Sequence, residues 1–275
     1  MRVDLDGALA SVMGTTPLVL SLTNTVSVND VAQTILHLGG LPVMSEDERE
    51  VADMLLAASG CYVNMGTVDE VSESRMLAAG EAANEQGIPV VFDPVGVGAT
   101  PTRDRVAERV TDDLDLAVVK GNYGEITALA GEDAEVRGVE SVGEYSDIAT
   151  TAMACAQTLD AVVVASGETD VVATGDAVYE VSAGDPQMGT VVGTGCMLGA
   201  TLATLVGAST DAQEAALAGT LAFGYAGEAA ANGEFGPVHG PGSFHAAFRD
   251  ALAGLIHLDH DDPEERIERV VSTEE

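Results

Sequence analysis

The residues best suited to chemistry are few and fall at distinctive spacings. The run VVGTGCMLGA sets Gly193, Thr194, Gly195 and Cys196 directly ahead of a small-residue stretch with helical character. Glycines that open a helix leave main-chain N–H groups free to take up an anion such as phosphate. The plainer alternative is a glycine turn capped by Thr194. A thiol at a helix start is expected to ionise more readily, because the dipole favours thiolate, so Cys196 reads as a reactive group; small buried packing residue is its dull alternative. Lys120 is the only lysine of the chain and closes the run LAVVK, where a lone cation suits phosphate or is an incidental strand-end charge. Asp93 closes IPVVFD, and Asn122 and Glu125 stand three apart in KGNYGEI. That spacing is a capping box. Carboxylates at two strand ends, Asp93 and Glu125, also suit a hydrated Mg²⁺ beside a triphosphate.

These positions share a setting, since most follow a β-branched run. PLVLSL (17–22), CYVNM (61–65), IPVVFD (88–93), LAVVK (116–120) and AVVVAS (161–166) alternate with amphipathic stretches near 28–38, 46–59, 69–86, 101–110, 122–130 and 146–157. Such alternation predicts an α/β fold with a mostly parallel sheet and helices on both faces. Ligands of such sheets lie beyond the carboxyl ends of the strands. DVVATGDAVYEVS (170–182) then predicts an antiparallel hairpin at the sheet edge, and three helices follow without a strand, near 194–207, 211–231 and 243–257. Neither repeats nor linkers interrupt the pattern, so residues 1–275 read as a single domain with an acidic C-terminal tail over 258–275. His257 and His260, in HLDHDD, are read as part of that solvated tail.

Composition narrows the function. Hydrophobic residues make up 46% of the 275 and aromatics only 4%, which predicts an aliphatic core. Against 45 acidic residues stand 11 basic ones, a net charge of -34, which excludes the basic footprint that nucleic acid or an anionic membrane requires. The charge is spread along the chain and fits a cytoplasmic protein of a halophile, where a Debye length of ~3 Å at about 1 M salt screens self-repulsion. Helicity followed by circular dichroism is expected to fall on dialysis to about 50 mM salt, and full helicity there would overturn the halophilic reading. Cys61, Cys155 and Cys196 are widely spaced and form no CxxC, so neither a disulfide framework nor a zinc knuckle is expected. Cys61 and Cys155 read as packing residues. The start carries two acids where a signal peptide wants positive charge, and no apolar run reaches the ~20 residues that span a bilayer. Gly121 after Lys120 excludes a Walker A loop, and GxSxG is absent. Gly193, Gly195 and Gly199 match a dinucleotide fingerprint, but follow a hairpin rather than the first strand of a βαβ unit.

Seven motifs occur in a shared order: LTNTVSVNDVAQTILHLGGLPVM, NMGT, FDPVGVGAT, KGNYGEI, VVASGETD, VVGTGC and GPGSF. Through them the chain, from about residue 17 to 257, resembles the hydroxyethylthiazole kinases of the ribokinase-like superfamily. The resemblance implies ATP-dependent phosphorylation of the alcohol of 4-methyl-5-(2-hydroxyethyl)thiazole in thiamine salvage, with Mg²⁺, by a homotrimer whose active sites lie between subunits. It also implies roles: Met44, Gly193 and Asn24 on the thiazole; Lys120, Ser166, Thr194 and Gly195 on ATP; Asp93 and Glu125 on the metal; and Cys196 as the catalytic cysteine. Lys120 stands where the family carries arginine, and Ser166 where it carries threonine. The alternatives are a kinase for a hydroxymethylpyrimidine-type alcohol and a relative that senses its ligand without turnover.

Overall fold

The computed structural model describes residues 3–44, 47–131, 136–137, 140–141 and 147–272. In chain order the elements are α1 (Leu5–Thr15), β1 (Leu18–Leu22), α2 (Val28–His37), β2 (Leu41–Val43), α3 (Glu48–Leu55), β3 (Gly60–Asn64), α4 (Glu70–Glu85), β4 (Val90–Asp93), α5 (Pro101–Asp113) and β5 (Val118–Asn122). Then follow α6 (Tyr123–Leu129), β6 (Val136–Arg137), β7 (Glu140–Ser141), α7 (Ile148–Leu159), β8 (Val162–Ser166), β9 (Asp170–Ala173) and β10 (Ala177–Val181). A 3-10 turn (Pro186–Thr190) leads to α8 (Thr194–Val206), α9 (Ala212–Ala231), α10 (Pro241–Gly254), α11 (Pro263–Arg266) and β11 (Ile267–Ser272).

Nine strands form one sheet in the order β11-β10-β9-β8-β5-β4-β3-β1-β2. From β8 to β2 neighbouring strands pair in parallel, and β9, β10 and β11 add on antiparallel. Because side chains alternate across a strand, the β-branched runs supply two cores at once. Val19, Tyr62, Val91, Val118 and Val164 face the layer that contains α1, α2, α8, α9 and α10. Leu20, Cys61, Val63, Phe92, Val119 and Val163 face α3 to α7. Crossover helices on both faces leave the carboxyl ends of the parallel strands along one rim. Helix α8 reaches that rim because Gly199 packs on Tyr62: a Cβ there would come within 2.6 Å of the tyrosine hydroxyl.

Three features depart from the sequence expectation. Helix α1 starts from the Asp4 carboxylate, which accepts the Gly7 N–H, in a segment whose acids hide its apolar positions Leu5, Leu9 and Val12. Strand β2 is only LPV, too short to show alternation, and Pro42 suits an edge position. The largest departure is at the C-terminus, where the acidic run does not trail through solvent. Residues 267–272 pair with β10, so β11 rather than the 170–182 hairpin forms the edge, and Arg269 lies over the Tyr179 ring at 6.0 Å. His260 stacks on Tyr225 at 5.4 Å and its Nε2 lies 3.2 Å from Asp6 Oδ1. The charges of this segment mask the apolar positions Ile267 and Val271 that bind it to the sheet. No helix among the described residues is long and apolar enough to cross a membrane.

Candidate active site

Strand ends and one helix start converge on Lys120. The side chain is 5% exposed, and its Nζ lies 3.7 Å from Asp93 Oδ1 at the end of β4. Burial by itself would discharge the ammonium, but the carboxylates of Asp93, Glu125 and Asp170 attract its charge and its pKa is raised. Asp93 is fully buried. Its Oδ2 accepts hydrogen bonds from the Tyr62 hydroxyl (2.8 Å) and Asn64 Nδ2 (2.8 Å), while Oδ1 is buried without a hydrogen-bond partner. Burial pushes this carboxyl above its ordinary value, against the pull of Lys120, Tyr62 and Asn64.

The glycine-rich run forms the start of α8 as the anion-hole reading requires. Gly193 is its N-cap at φ 94°, a left-handed conformation that disfavours side chains, and no side chain caps the helix. Thr194 is not the cap, because its hydroxyl turns back to donate to the carbonyls of Met188 (2.9 Å) and Val191 (2.8 Å). First-turn amides without a side-chain acceptor suit an anion, although the Thr194 N–H also reaches the Val191 carbonyl at 3.4 Å. Gly195 lies against Lys120, so closely that a Cβ would sit 2.9 Å from Nζ. Cys196 follows, and its Sγ accepts from Asn24 Nδ2 (3.3 Å) and Asn64 Nδ2 (3.4 Å). The expected lowering of this thiol's pKa is not realised. Burial and the charge of Asp93 push it up, more than Lys120 and the hydrogen bond from Asn24 bring it down.

Asn24, just beyond β1, also donates to Asn64 Oδ1 at 2.8 Å, and its own Oδ1 accepts the amides of Val26 and Ser27. Met44 comes one strand further out, after β2, half-buried against the core that holds α8. Ser166, at the end of β8, donates to the Gly121 carbonyl at 3.3 Å. With Thr194, Gly195, Gly184 and Phe223 it lines a cavity of about 670 Å³. Asp170 is also on that wall; its carboxylate accepts the Gly167 N–H, and burial pushes its pKa to about 6.

Glu125 carries out the capping that its spacing announces. Its Oε2 accepts the Asn122 N–H (2.7 Å) while Asn122 Oδ1 accepts the Glu125 N–H (2.9 Å). The other oxygen takes the Gly96 N–H at 2.7 Å, tying α6 to the loop after β4. Among the described residues no group of three or more His, Cys, Asp or Glu side chains could hold a metal ion. Asp93 Oδ1, which accepts no hydrogen bond and pairs with the Lys120 ammonium at 3.7 Å, and the remaining lone pairs of Glu125 nevertheless fit a Mg²⁺ held mainly by phosphate and water.

Three participants are absent from the sequence reading. Tyr62 and Asn64 flank Asp93, and Arg103 on α5 joins the loops after β3 and β4 by donating to the carbonyls of Met65, Gly66 and Val95. Asn64 belongs to the NMGT motif at a strand end, which is the signal that could have found it. Tyr62 looks like any core residue of its strand.

The raised carboxyl of Asp170 has a pH consequence. Its folded pKa of about 6 exceeds the ordinary 3.8, so its contribution to stability is fully present below the ordinary value and is lost as pH rises through 6. Asp170→Asn keeps the acceptor for Gly167 and removes the charge. The variant is expected to melt close to the parent near pH 4 and to gain on it by about 2 kcal/mol between pH 4 and 6. Parallel melting curves across this range would rule the effect out.

A nucleotide-sized cavity beside an uncapped helix start, a buried cation and a carboxylate, all at the carboxyl rim of this sheet, define a small-molecule kinase of the ribokinase-like fold. A ribokinase-like superfamily protein from Enterococcus faecalis shares the fold with a TM-score of 0.61 at 11% identity, covering 86% of this chain and 87% of that one. The hydroxyethylthiazole kinase family model matches residues 9–258. A hydroxyethylthiazole kinase of Natronomonas pharaonis is 61% identical over 272 residues, 98% of this chain and 97% of that one. The structure of hydroxyethylthiazole kinase protein from Pyrococcus horikoshii superposes with a TM-score of 0.82 at 32% identity, covering 97% of this chain and 98% of that one. The chain belongs to the hydroxyethylthiazole kinase family.

Proposed function

We propose that this chain transfers the γ-phosphoryl group of ATP to the primary hydroxyl of 4-methyl-5-(2-hydroxyethyl)thiazole, with Asn24, Met44 and Gly193 against the thiazole and Lys120, Ser166, Thr194 and Gly195 against the nucleotide. The observation that carries this reading is the uncapped start of α8, with Gly195 against Lys120 and Cys196 next in line. The alcohol oxygen attacks Pγ as the bond from Pγ to the bridging oxygen breaks, and ADP leaves with that electron pair. Lys120 and the amides of residues 193–196 take up the charge on the transferring group. Asp93 and Glu125 would hold Mg²⁺, which would neutralise phosphate charge.

Cys196 orients the alcohol by accepting its O–H at Sγ. A thiol with a raised pKa keeps its own proton at neutral pH, so the alcohol proton leaves late, passing to a phosphoryl oxygen or to bulk water once phosphoryl transfer has made it acidic. Cys196→Ala is therefore expected to slow turnover about ten- to a hundredfold without abolishing it, and Cys196→Asp to retain activity. A Cys196→Ala variant turning over at the parent rate would leave the cysteine a packing residue. The protein works in a salt-rich cytoplasm, where the net charge of -34 is screened, as a homotrimer with sites between subunits. An active monomer in sedimentation would remove the trimer.

The decisive experiment incubates the protein with ATP, Mg²⁺ and the thiazole alcohol at high salt and searches for thiazole phosphate by mass spectrometry. Phosphorylation of a hydroxymethylpyrimidine alcohol alone would move the substrate. Absence of ADP release with either alcohol would make the protein a sensor.

A further inference from the structure

The cavity beside the α8 start has a wall that is held from behind. Residues 183–188 form that wall, and they seat on α9 through residues spaced three and four apart on one helix face: Gly224, Gly227 and Glu228. A Cβ on Gly224 would come within 2.5 Å of the Ala183 Cβ, and one on Gly227 would collide with the Met188 sulfur. The two glycines make a notch into which the wall fits. Glu228 then hooks it, because Oε1 accepts the Gly184 N–H at 3.0 Å.

The hook is itself clamped by the C-terminal segment. Arg266 donates to both Glu228 oxygens at 3.3 Å, to Asp261 Oδ2 at 2.7 Å and to the Ser182 carbonyl at 3.1 Å. The Ser182 N–H returns a hydrogen bond to the Arg266 carbonyl at 2.8 Å. The guanidinium also lies over the Tyr225 ring at 5.6 Å, and the Tyr225 hydroxyl donates to the Asp261 carbonyl at 3.2 Å. On its other side the wall runs into the anion cradle, since the Met188 carbonyl accepts the Thr194 hydroxyl. A fork-shaped, bidentate guanidinium fixes a carboxylate's orientation as well as its charge.

We propose that Glu228, clamped by Arg266, is a positioning residue for the nucleotide: it fixes the 183–188 wall of the cavity, so that the C-terminal segment sets the affinity for a nucleoside di- or triphosphate. This rests on the kinase reading only in assigning the cavity to the nucleotide. The ligand touches neither side chain. Their loss loosens the wall and leaves Lys120, Asp93 and the alcohol's surroundings as they are.

Two measurements test this on the full chain at high salt. In steady-state kinetics Arg266→Met is expected to raise KM for ATP about three- to fivefold and Glu228→Ala about tenfold, with kcat and the thiazole KM near the parent values. Glu228→Gln keeps the acceptor for Gly184 and falls between parent and alanine, and adding Arg266→Met to Glu228→Ala costs little more, because both act on one contact. Calorimetric titration with ADP in the absence of alcohol should show the same order of affinities without any turnover. Equal ADP affinity in all variants overturns the proposal, as does a parent that fails to bind ADP. It is overturned equally if kcat and both KM values worsen together with the melting temperature, the mark of a merely structural role. If the parent forms no thiazole phosphate yet the variants lose ADP affinity in the expected order, the substrate assignment fails and the clamp stands.

Discussion

Replacing Lys120 with methionine is expected to lower kcat by about a hundred- to a thousandfold, the cost of removing one preorganised electrostatic partner from a transition state. The side chain is the cation nearest to Gly195, where the transferring group is to sit, and methionine keeps its length without its charge. Stability should suffer as well. Asp93 is fully buried and loses the ammonium 3.7 Å from Oδ1, and breaking a buried pair by removing one partner costs about 3 kcal/mol. Part of that loss is recovered as Asp93 takes a proton. Lys120→Arg, which restores the charge, is expected to regain most of the rate. Single-turnover kinetics at saturating ATP, with melting followed in parallel, separates the two effects. Turnover by Lys120→Met close to the parent rate would place the phosphoryl group elsewhere.

Gly193→Ala should be nearly as damaging for a different reason. The residue sits at φ 94°, where an added side chain costs about 1–2 kcal/mol, and its Cβ would lie 3.1 Å from the Ser27 Cβ. Both penalties are relieved in the same way, by rotating the N-cap and with it the first amides of α8. A turn of that kind withdraws at least one N–H from the phosphoryl oxygens, so a fall in kcat of about a hundredfold is expected, with KM for the thiazole also raised. Gly219→Ala serves as the comparison, since its Cβ meets the Leu202 and Leu205 side chains and presses on the body of α8 away from the cradle. Equal kinetic losses in the two variants would mean that the helix shifts as a whole and that the amides at 193–196 carry no special role.

The sheet was legible because its strands are β-branched runs separated by amphipathic helices, a pattern in which periodicity and composition agree. The candidate site was legible wherever a residue type was out of keeping with its surroundings: the only lysine, a strand-end aspartate, glycines at a helix start. Position within the site was less so. Glu125 displays a capping spacing, and nothing in KGNYGEI reveals that its second oxygen reaches the Gly96 amide. Cys196 illustrates the limit more sharply. A helix N-terminus argues for an acidic thiol, but the opposing terms, burial and the Asp93 charge, come from strands distant in sequence. Tyr62 likewise reads as core until Asp93 is seen to accept its hydroxyl. The C-terminal strand was hidden for the opposite reason, because its glutamates and arginines outweigh the apolar residues that pair it with β10.

The enclosure of Lys120 changes how the whole surface answers to acylating reagents. Because no other lysine exists, the outside of the molecule offers no ε-amine at all. Amine-directed esters and lysine acyltransferases therefore meet a chain whose single lysine is buried between Asp93 and Gly195. Any covalent adduct at a lysine must sit on Lys120, and its location on the peptide that carries residue 120 reports whether the buried candidate site stood open.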